Sequence, residues 1–295
     1  MLLIVPLLVN VAFFTLLERK VLSLCQLRKG PNKVYFLGIL QPFADAVKLF
    51  LKEQVIPYNS NKIIFYFSPL IRIFLRILLW NLIPNFSEFI RWKLSVLVFL
   101  LILGIRLYPL LLSGWRSHRK YATLGSLRGV AQTISYEIRL ALIVLSLVIF
   151  NSSVRLSGIS YEKRCSYRVF LYMPLLYIWL LRCLAETNRT PSDFSEGESD
   201  LVSGFNVEYG SGSFALIFMA EYSSILLLRF LTVIFFFPSS DLLVFVQRIS
   251  ISFWWVWVRG SYPRYRYDKL INLAWKNILP LSLSWLRIPM CLFLL

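Results

Sequence analysis

Continuous apolar runs recur along the whole chain, and they restrict its fold more than any other feature. Each is about 20 residues long, enough for a helix to cross the hydrocarbon core of a bilayer. Lipid offers a bare backbone no hydrogen-bond partners, so only helices and closed barrels cross it. Barrel strands alternate apolar and polar residues, whereas these runs are apolar throughout. Helices are therefore expected. Of the 295 residues, 58% are hydrophobic and 16% charged. A soluble domain has about half and about a quarter.

The expected fold class is an all-α integral membrane protein with about eight tilted transmembrane helices plus one interfacial amphipathic helix. One membrane domain covers residues 1–295, with spans near 1–20, 63–84, 93–112, 130–151, 168–185, 214–236, 242–258 and 277–294. An even number of spans puts both termini on one side. The opposite side then carries the loops 21–62, 113–129, 186–213 and 259–276. Most loop Lys and Arg lie there, among them Arg28, Lys33, Lys48, Arg119, Arg189 and Arg266. By the positive-inside rule this is the side of synthesis, bacterial cytoplasm or mitochondrial matrix. The first run, MLLIVPLLVNVAFFTLL, has no basic stretch before it and no small-residue cleavage site, so it is expected to be retained.

Within the first loop, GILQPFADAVKLFLKE places Phe43, Ala46, Val47 and Phe50 at helical spacing, with Asp45, Lys48 and Lys52 elsewhere around the wheel. Such a helix is too short to span and is expected along the interface, its apolar face toward lipid or a partner. Cys25, Cys165, Cys183 and Cys291 are scattered, without metal or disulfide spacing. His118 is the only histidine, which rules out haem held between paired histidines. The net charge of +17 comes from bases between and inside apolar runs, with no nucleic-acid module around them, so no nucleic-acid partner is expected.

The negative charge is concentrated instead. Six of the fifteen carboxylates, Glu186, Asp193, Glu196, Glu198, Asp200 and Glu208, fall between 185 and 212. Glu186 closes one run, Glu221 lies within the next, and Glu137 sits in the middle of GVAQTISYEIRLALIVL. An ionisable group inside a span is expensive and is a functional candidate by default. Burial and neighbouring negative charge both raise a carboxyl pKa. A cluster of acids can then hold protons near neutral pH and titrate as a coupled set.

Five stretches resemble the subunit 1 family of NADH:ubiquinone oxidoreductase, respiratory complex I, in its animal mitochondrial, arthropod-like form. They are TLLERKVLSLCQLRKGPNKV, LGILQPFADAVKLFLKE, GSLRGVAQTISYEIRLAL, AETNRTPSDFSEGESDLVSGFNVEY and WVRGSYPRYRYDKLINLAWKNILPLSL, in matching order and spacing. The resemblance implies a multi-pass subunit of the mitochondrial inner membrane, in contact with the other membrane and peripheral-arm subunits and with lipid. It implies that ubiquinone, the substrate, enters through a tunnel built largely by this chain. NADH, FMN and the iron–sulfur clusters would belong to partner subunits, since this chain has no motif for them. The family's acidic pathway for proton coupling falls on Glu137, Glu186, Asp193, Glu196, Glu198, Asp200 and Glu221. Its charged quinone guides fall on Arg19, Arg28, Arg259 and Arg264, and a wall position on Phe218. Asp45, on the interfacial helix, is placed to pair with one of those arginines.

The sequence also departs from the family. Asp200 stands where Glu is usual, and Ser192 where Phe is usual. The amino terminus looks several residues short of a typical member. Arg72, Arg76, Arg106, Arg139, Arg229 and Arg248 fall inside expected spans, each costing about 2.5–3.5 kcal/mol at a helix centre unless it snorkels or lines a cavity. Several occupy positions where arthropod relatives carry Ser, RSHRK at 116–120 replaces a Ser/Asn-rich run, and there are only four Met. The expectation is a mitochondrial gene read with the wrong code, with AGA and AGG giving Arg for Ser and AUA giving Ile for Met. Two other readings compete with the quinone subunit. One is the homologous heel subunit of a membrane-bound hydrogenase or formate-oxidising complex; the other is a proton-coupled secondary transporter, which would usually show paired repeats.

Overall fold

The computed structural model describes residues 4–58, 60–83, 93–161, 168–195, 197, 201–237 and 241–294. All regular structure among the described residues is helical. The first half contains α1 (Ile4–Cys25), α2 (Gln41–Leu51), α3 (Lys62–Trp80), α4 (Ser95–Ile105), α5 (Leu107–Arg116) and α6 (Lys120–Phe150). The second contains α7 (Leu156–Tyr161), α8 (Arg168–Glu186), α9 (Ser211–Phe236), α10 (Asp241–Ser261), α11 (Tyr267–Asn272) and α12 (Leu279–Leu294). A π-helical stretch, Leu273–Ile278, joins α11 to α12. Its wider turn precedes Pro280, whose missing N–H and ring disturb an ordinary α-helical ladder.

Among the described residues, four stretches are both long and apolar enough to cross a membrane: Lys62–Trp80, Ser95–Arg116, Lys120–Phe150 and Ser211–Phe236. Helices α1, α8, α10 and α12 lie on the other expected runs. Charge sets α1 apart, where Glu18, Arg19 and Lys20 stand together. The last, α12, is only 16 residues long. The second membrane-long stretch is interrupted at Arg106, between α4 and α5. Pro109 explains the break, because its ring meets the carbonyl four residues back.

The expected loop 113–129 is mostly helix. Helix α6 begins at Lys120, well before 130, leaving 117–119 as the turn. Glycines make this compact corner possible. A Cβ on Gly114 would lie 2.2 Å from Ser126 Oγ and 2.7 Å from the Ala122 carbonyl oxygen. A Cβ on Gly125 would lie 2.9 Å from Gly204 Cα and 3.0 Å from the Ser195 carbonyl oxygen. The amino-terminal half of α6 therefore lies directly on the segment that follows α8.

Helix α9 is the central post. It packs against α1, α2, α3, α8 and α10, and 67% of its most apolar window is buried. A helix apolar on all sides belongs in such a place. The main core gathers Leu79 and Trp80 from α3, Ile143 and Leu147 from α6, Trp179 from α8, and Leu226, Phe235 and Phe236 from α9. Trp179 meets Phe235 edge to face at 5.2 Å.

Helix α2 is amphipathic, as its pattern predicts, yet none of its residues is buried. Its half-covered positions are Gln41, Pro42, Asp45, Ala46 and Leu49, while Phe43, Val47, Phe50 and Leu51 are exposed. The charged Asp45 is therefore on the covered side. Gln41 donates to it at 3.0 Å, and Arg19 of α1 pairs with it.

Candidate functional site

Two clusters of buried ionic side chains lie on different faces of α9. The first centres on Glu18, which is 6% exposed. Tyr222 donates a hydrogen bond to Glu18 Oε2 at 2.7 Å. Arg259 pairs with Oε1, and Arg189 Nη1 lies 3.9 Å from the same atom. The Arg189 guanidinium also sits 4.6 Å from the centre of the Tyr222 ring. One turn earlier on α9, Phe218 packs between Phe214 and Tyr222, at 4.3 and 6.4 Å between ring centres. Four separate segments, α1, the turn after α8, α9 and α10, thus meet at one carboxylate.

Consecutive residues on a helix point about 100° apart. Glu221, next to Tyr222, therefore faces away from the Glu18 cluster on a different side of α9. There Arg72 of α3 donates to Glu221 Oε1 at 3.0 Å. Both side chains are buried, and Arg72 also covers the Phe205 ring at 4.8 Å. One helical turn along α3, Arg76 Nη1 lies 3.9 Å from Glu186 Oε1. Arg106 donates to the same oxygen at 2.6 Å, and Arg182 Nη2 is 2.5 Å from Oε2. Glu186, 4% exposed, is thus ringed by three guanidinium groups. A small enclosed pocket lies among Arg72, Arg76, Arg106, Thr133, Glu186 and Glu221. It has room for about one water molecule.

The remaining acids of the expected pathway are placed unevenly. Glu137 is half-buried on α6, and its enclosed Oε1 meets no hydrogen-bond donor among the described residues. Asp193 is half-buried in the segment after α8. Glu196, Glu198 and Asp200 lie outside the described residues. Gln132 of α6 anchors this segment by donating to the carbonyl oxygens of Ala185 and Ser192, at 2.8 and 2.9 Å. Ser192 is buried and donates its hydroxyl to the Arg189 carbonyl at 3.2 Å, so Ser at this position keeps the turn closed. Further along, Tyr209 stacks on Phe65 with 4.2 Å between ring centres, and burial pushes its pKa up to about 12.

The expected quinone guides do not form one group. Arg259 and Phe218 belong to the Glu18 cluster. Arg19 is exposed and held by Asp45. Arg28 is exposed and donates to Gln26 at 2.8 Å. Arg264 lies against the acidic segment instead. Its guanidinium is 5.4 Å from the centre of the Phe194 ring, and a Cβ on Gly197 would fall 2.5 Å from its Nη2. Of the expected pathway acids, the two that are buried with resolved partners, Glu186 and Glu221, meet arginines and not each other. An adjacent opposite charge works against the mutual crowding that the sequence pattern suggests.

Sequence reasoning missed Glu18, Arg189, Tyr222 and Arg182. For Glu18 a signal existed: it is an acid at the end of an apolar run, in the same position as Glu186. Its partners come from residues 189, 222 and 259, and no local pattern connects those to residue 18.

An all-helical chain with four membrane-long apolar stretches and buried ion pairs between its helices is of the integral membrane class. The model of a family described as NADH dehydrogenase matches residues 1–290, and the chain belongs to that family. It is similar to NADH-ubiquinone oxidoreductase chain 1 of Aedes aegypti, 53% identical over 97% of this chain and 92% of the relative. The protein of the same name from Anopheles quadrimaculatus is 54% identical, with the same coverage. The one from the sea urchin Strongylocentrotus purpuratus is 47% identical over 95% of this chain and 90% of its own length.

Proposed function

We propose that this chain is the membrane subunit of NADH:ubiquinone oxidoreductase that forms the ubiquinone tunnel and couples quinone reduction to proton translocation. It works in the mitochondrial inner membrane as part of the respiratory enzyme. The family membership supports the subunit, and the line of buried ionic groups across α9 supports the coupling. Partner subunits carry FMN and the iron–sulfur clusters and deliver NADH-derived electrons. Ubiquinone takes up two electrons and two protons to become the quinol. This chain contributes apolar walls, polar guides and a route for charge.

The side of α9 bearing Phe214, Phe218 and Tyr222 suits a quinone, which needs aromatic walls and a few hydrogen-bond donors. Arg259, Arg189 and the Tyr222 hydroxyl are donors gathered about Glu18. A proton or charge change there acts on Tyr222, and Glu221 is the next residue along the same helix. From Glu221 the line continues through Arg72 and Arg76 to Glu186, and Glu137 extends it along α6. A buried salt bridge is sensitive to the charge of either partner, because removing one leaves the other uncompensated. Such a line transmits a protonation event as a re-pairing of charges.

The test is Glu186→Gln in the assembled complex reconstituted into vesicles. NADH oxidation by ubiquinone is expected to continue in part while acidification of the lumen is lost. An unchanged ratio of protons moved to NADH oxidised would remove Glu186 from the pathway.

A further inference from the structure

Helix α2 presents an unusual surface. Its one acid, Asp45, is turned inward and neutralised by Arg19, with Gln41 donating to it as well. Its outward side is apolar and fully uncovered: Phe43 is 44% exposed, Val47 57% and Leu51 80%. With Val34 and Leu40 these residues form a shallow groove, and Lys48 and Lys52 belong to the same groove. Lys48 lies in the last turn of α2 and Lys52 immediately follows its end, and both line the carboxyl-terminal end of the groove. The surrounding segment is strongly basic, with Arg28, Lys29 and Lys33 close in sequence and Glu53 the one acid beyond Asp45.

An apolar strip of this size is not left in water, since exposed contiguous apolar surface marks an interaction site. The cover must be apolar along the groove and negative at its lysine end. A phospholipid with an anionic headgroup has both properties in one molecule. A protein partner would have to bring an acidic residue into place beside an apolar ridge. A zwitterionic lipid would supply the chains without the charge. We infer that the α2 groove is a binding site for an anionic phospholipid, its acyl chains along Phe43, Val47 and Leu51 and its phosphate between Lys48 and Lys52. A helix lying in the interface gains binding from buried apolar area together with attraction to anionic headgroups. The site therefore makes the seating of α2 against α1 and α9 depend on lipid composition.

The experiment uses the assembled complex in membranes carrying photoactivatable phospholipids. The probes share their acyl chains and differ in headgroup, phosphatidylglycerol in one arm and phosphatidylcholine in the other. Labelled peptides are mapped by mass spectrometry. Labelling within 34–52 by the anionic probe is expected to exceed that by the zwitterionic probe. The Lys48→Gln/Lys52→Gln double variant should lose the excess, a fall of roughly thirtyfold given two lysines near the headgroup. Both lysines are exposed, so assembly is expected to be unaffected, and native electrophoresis checks that. Absence of label at 34–52 would mean that protein covers the groove, and the proposal falls. Equal labelling by both probes, unaffected by the double variant, would make it unselective lipid contact and overturn it equally.

Discussion

Replacing Glu18 with Gln isolates the role of charge at the meeting point of four segments. The amide keeps the side chain's shape and can still accept the Tyr222 hydrogen bond. What disappears is the negative charge facing Arg189 and Arg259. Removing one partner of a buried pair costs about 3–5 kcal/mol, because the other charge is left uncompensated. Two observations lower that figure here. The Arg259 side chain is 34% exposed, so water recovers part of its loss, and Arg189 sits at 3.9 Å rather than in close contact. A loss of about 2–3 kcal/mol remains, roughly a 30- to 150-fold change in an equilibrium or a rate. The assay is the half-time for thermal loss of NADH:ubiquinone activity in native membranes, alongside the KM for a short-chain ubiquinone. The variant should inactivate faster and show a higher KM, because Arg259 is no longer held at position 18 near Tyr222. Reduction of a hydrophilic acceptor by NADH, which uses only partner subunits, should be unchanged. Glu18→Asp keeps the charge with a shorter reach and should fall between. If Glu18→Gln matches the parent in both half-time and KM, the carboxylate does not organise these arginines, and the reasoning fails.

Two further outcomes follow from packing and from the buried arginines. Gly125→Ala should lower the amount of assembled complex on native gels, because its Cβ would meet backbone atoms of Gly204 and Ser195 at 2.9 and 3.0 Å. Overpacking of that kind costs about 1–3 kcal/mol, whereas Gly104→Ala, with nothing within 4 Å, should be neutral. Peptide mass spectrometry of the native subunit should find Ser at 139, 229 and 248; Arg at 72 and 139 would end the recoding idea.

The helices were legible because lipid-length apolar runs leave little choice of structure. Boundaries were less so. The GSLRGVAQT stretch looks polar enough for a loop, but its glycines let α6 continue by fitting tightly against Ser195 and Gly204. The outward apolar face of α2 and the pairing of Asp45 with a guide arginine were legible from the wheel; that Arg19 would be the one was not. The acids at 137, 186 and 221 stood out individually as charges in apolar runs. Their partners did not, since Glu186 meets Arg76 and Arg106 across 80 residues or more of chain, and no periodicity encodes that.

The in-span arginines divide into two groups on physical grounds. Arg72, Arg76 and Arg106 all reach the Glu186 and Glu221 carboxylates, so each has a charge partner where lipid would give none. Arg139 is fully buried and meets no carboxylate among the described residues; its polar neighbour is Tyr136, whose ring lies 4.3 Å away and whose hydroxyl is within its reach. Arg229 and Arg248 each bury an Nε without an acceptor among the described residues, and Arg248 faces the Phe230 ring at 4.0 Å. Contact with a ring returns about 2 kcal/mol when desolvated, which is less than the several kcal/mol that a buried ion loses on leaving water. Serine at these three positions would instead return its hydroxyl to a carbonyl in the preceding turn. Ser135 and Ser146 already do so on α6, at 2.7 Å each. The energetic case for recoding is thus strongest at 139, 229 and 248. At 72, 76 and 106 it must be weighed against real carboxylate partners. A mixed result, with Ser at the first three positions and Arg at the second, would show that the pairing with Glu186 and Glu221 belongs to the native protein.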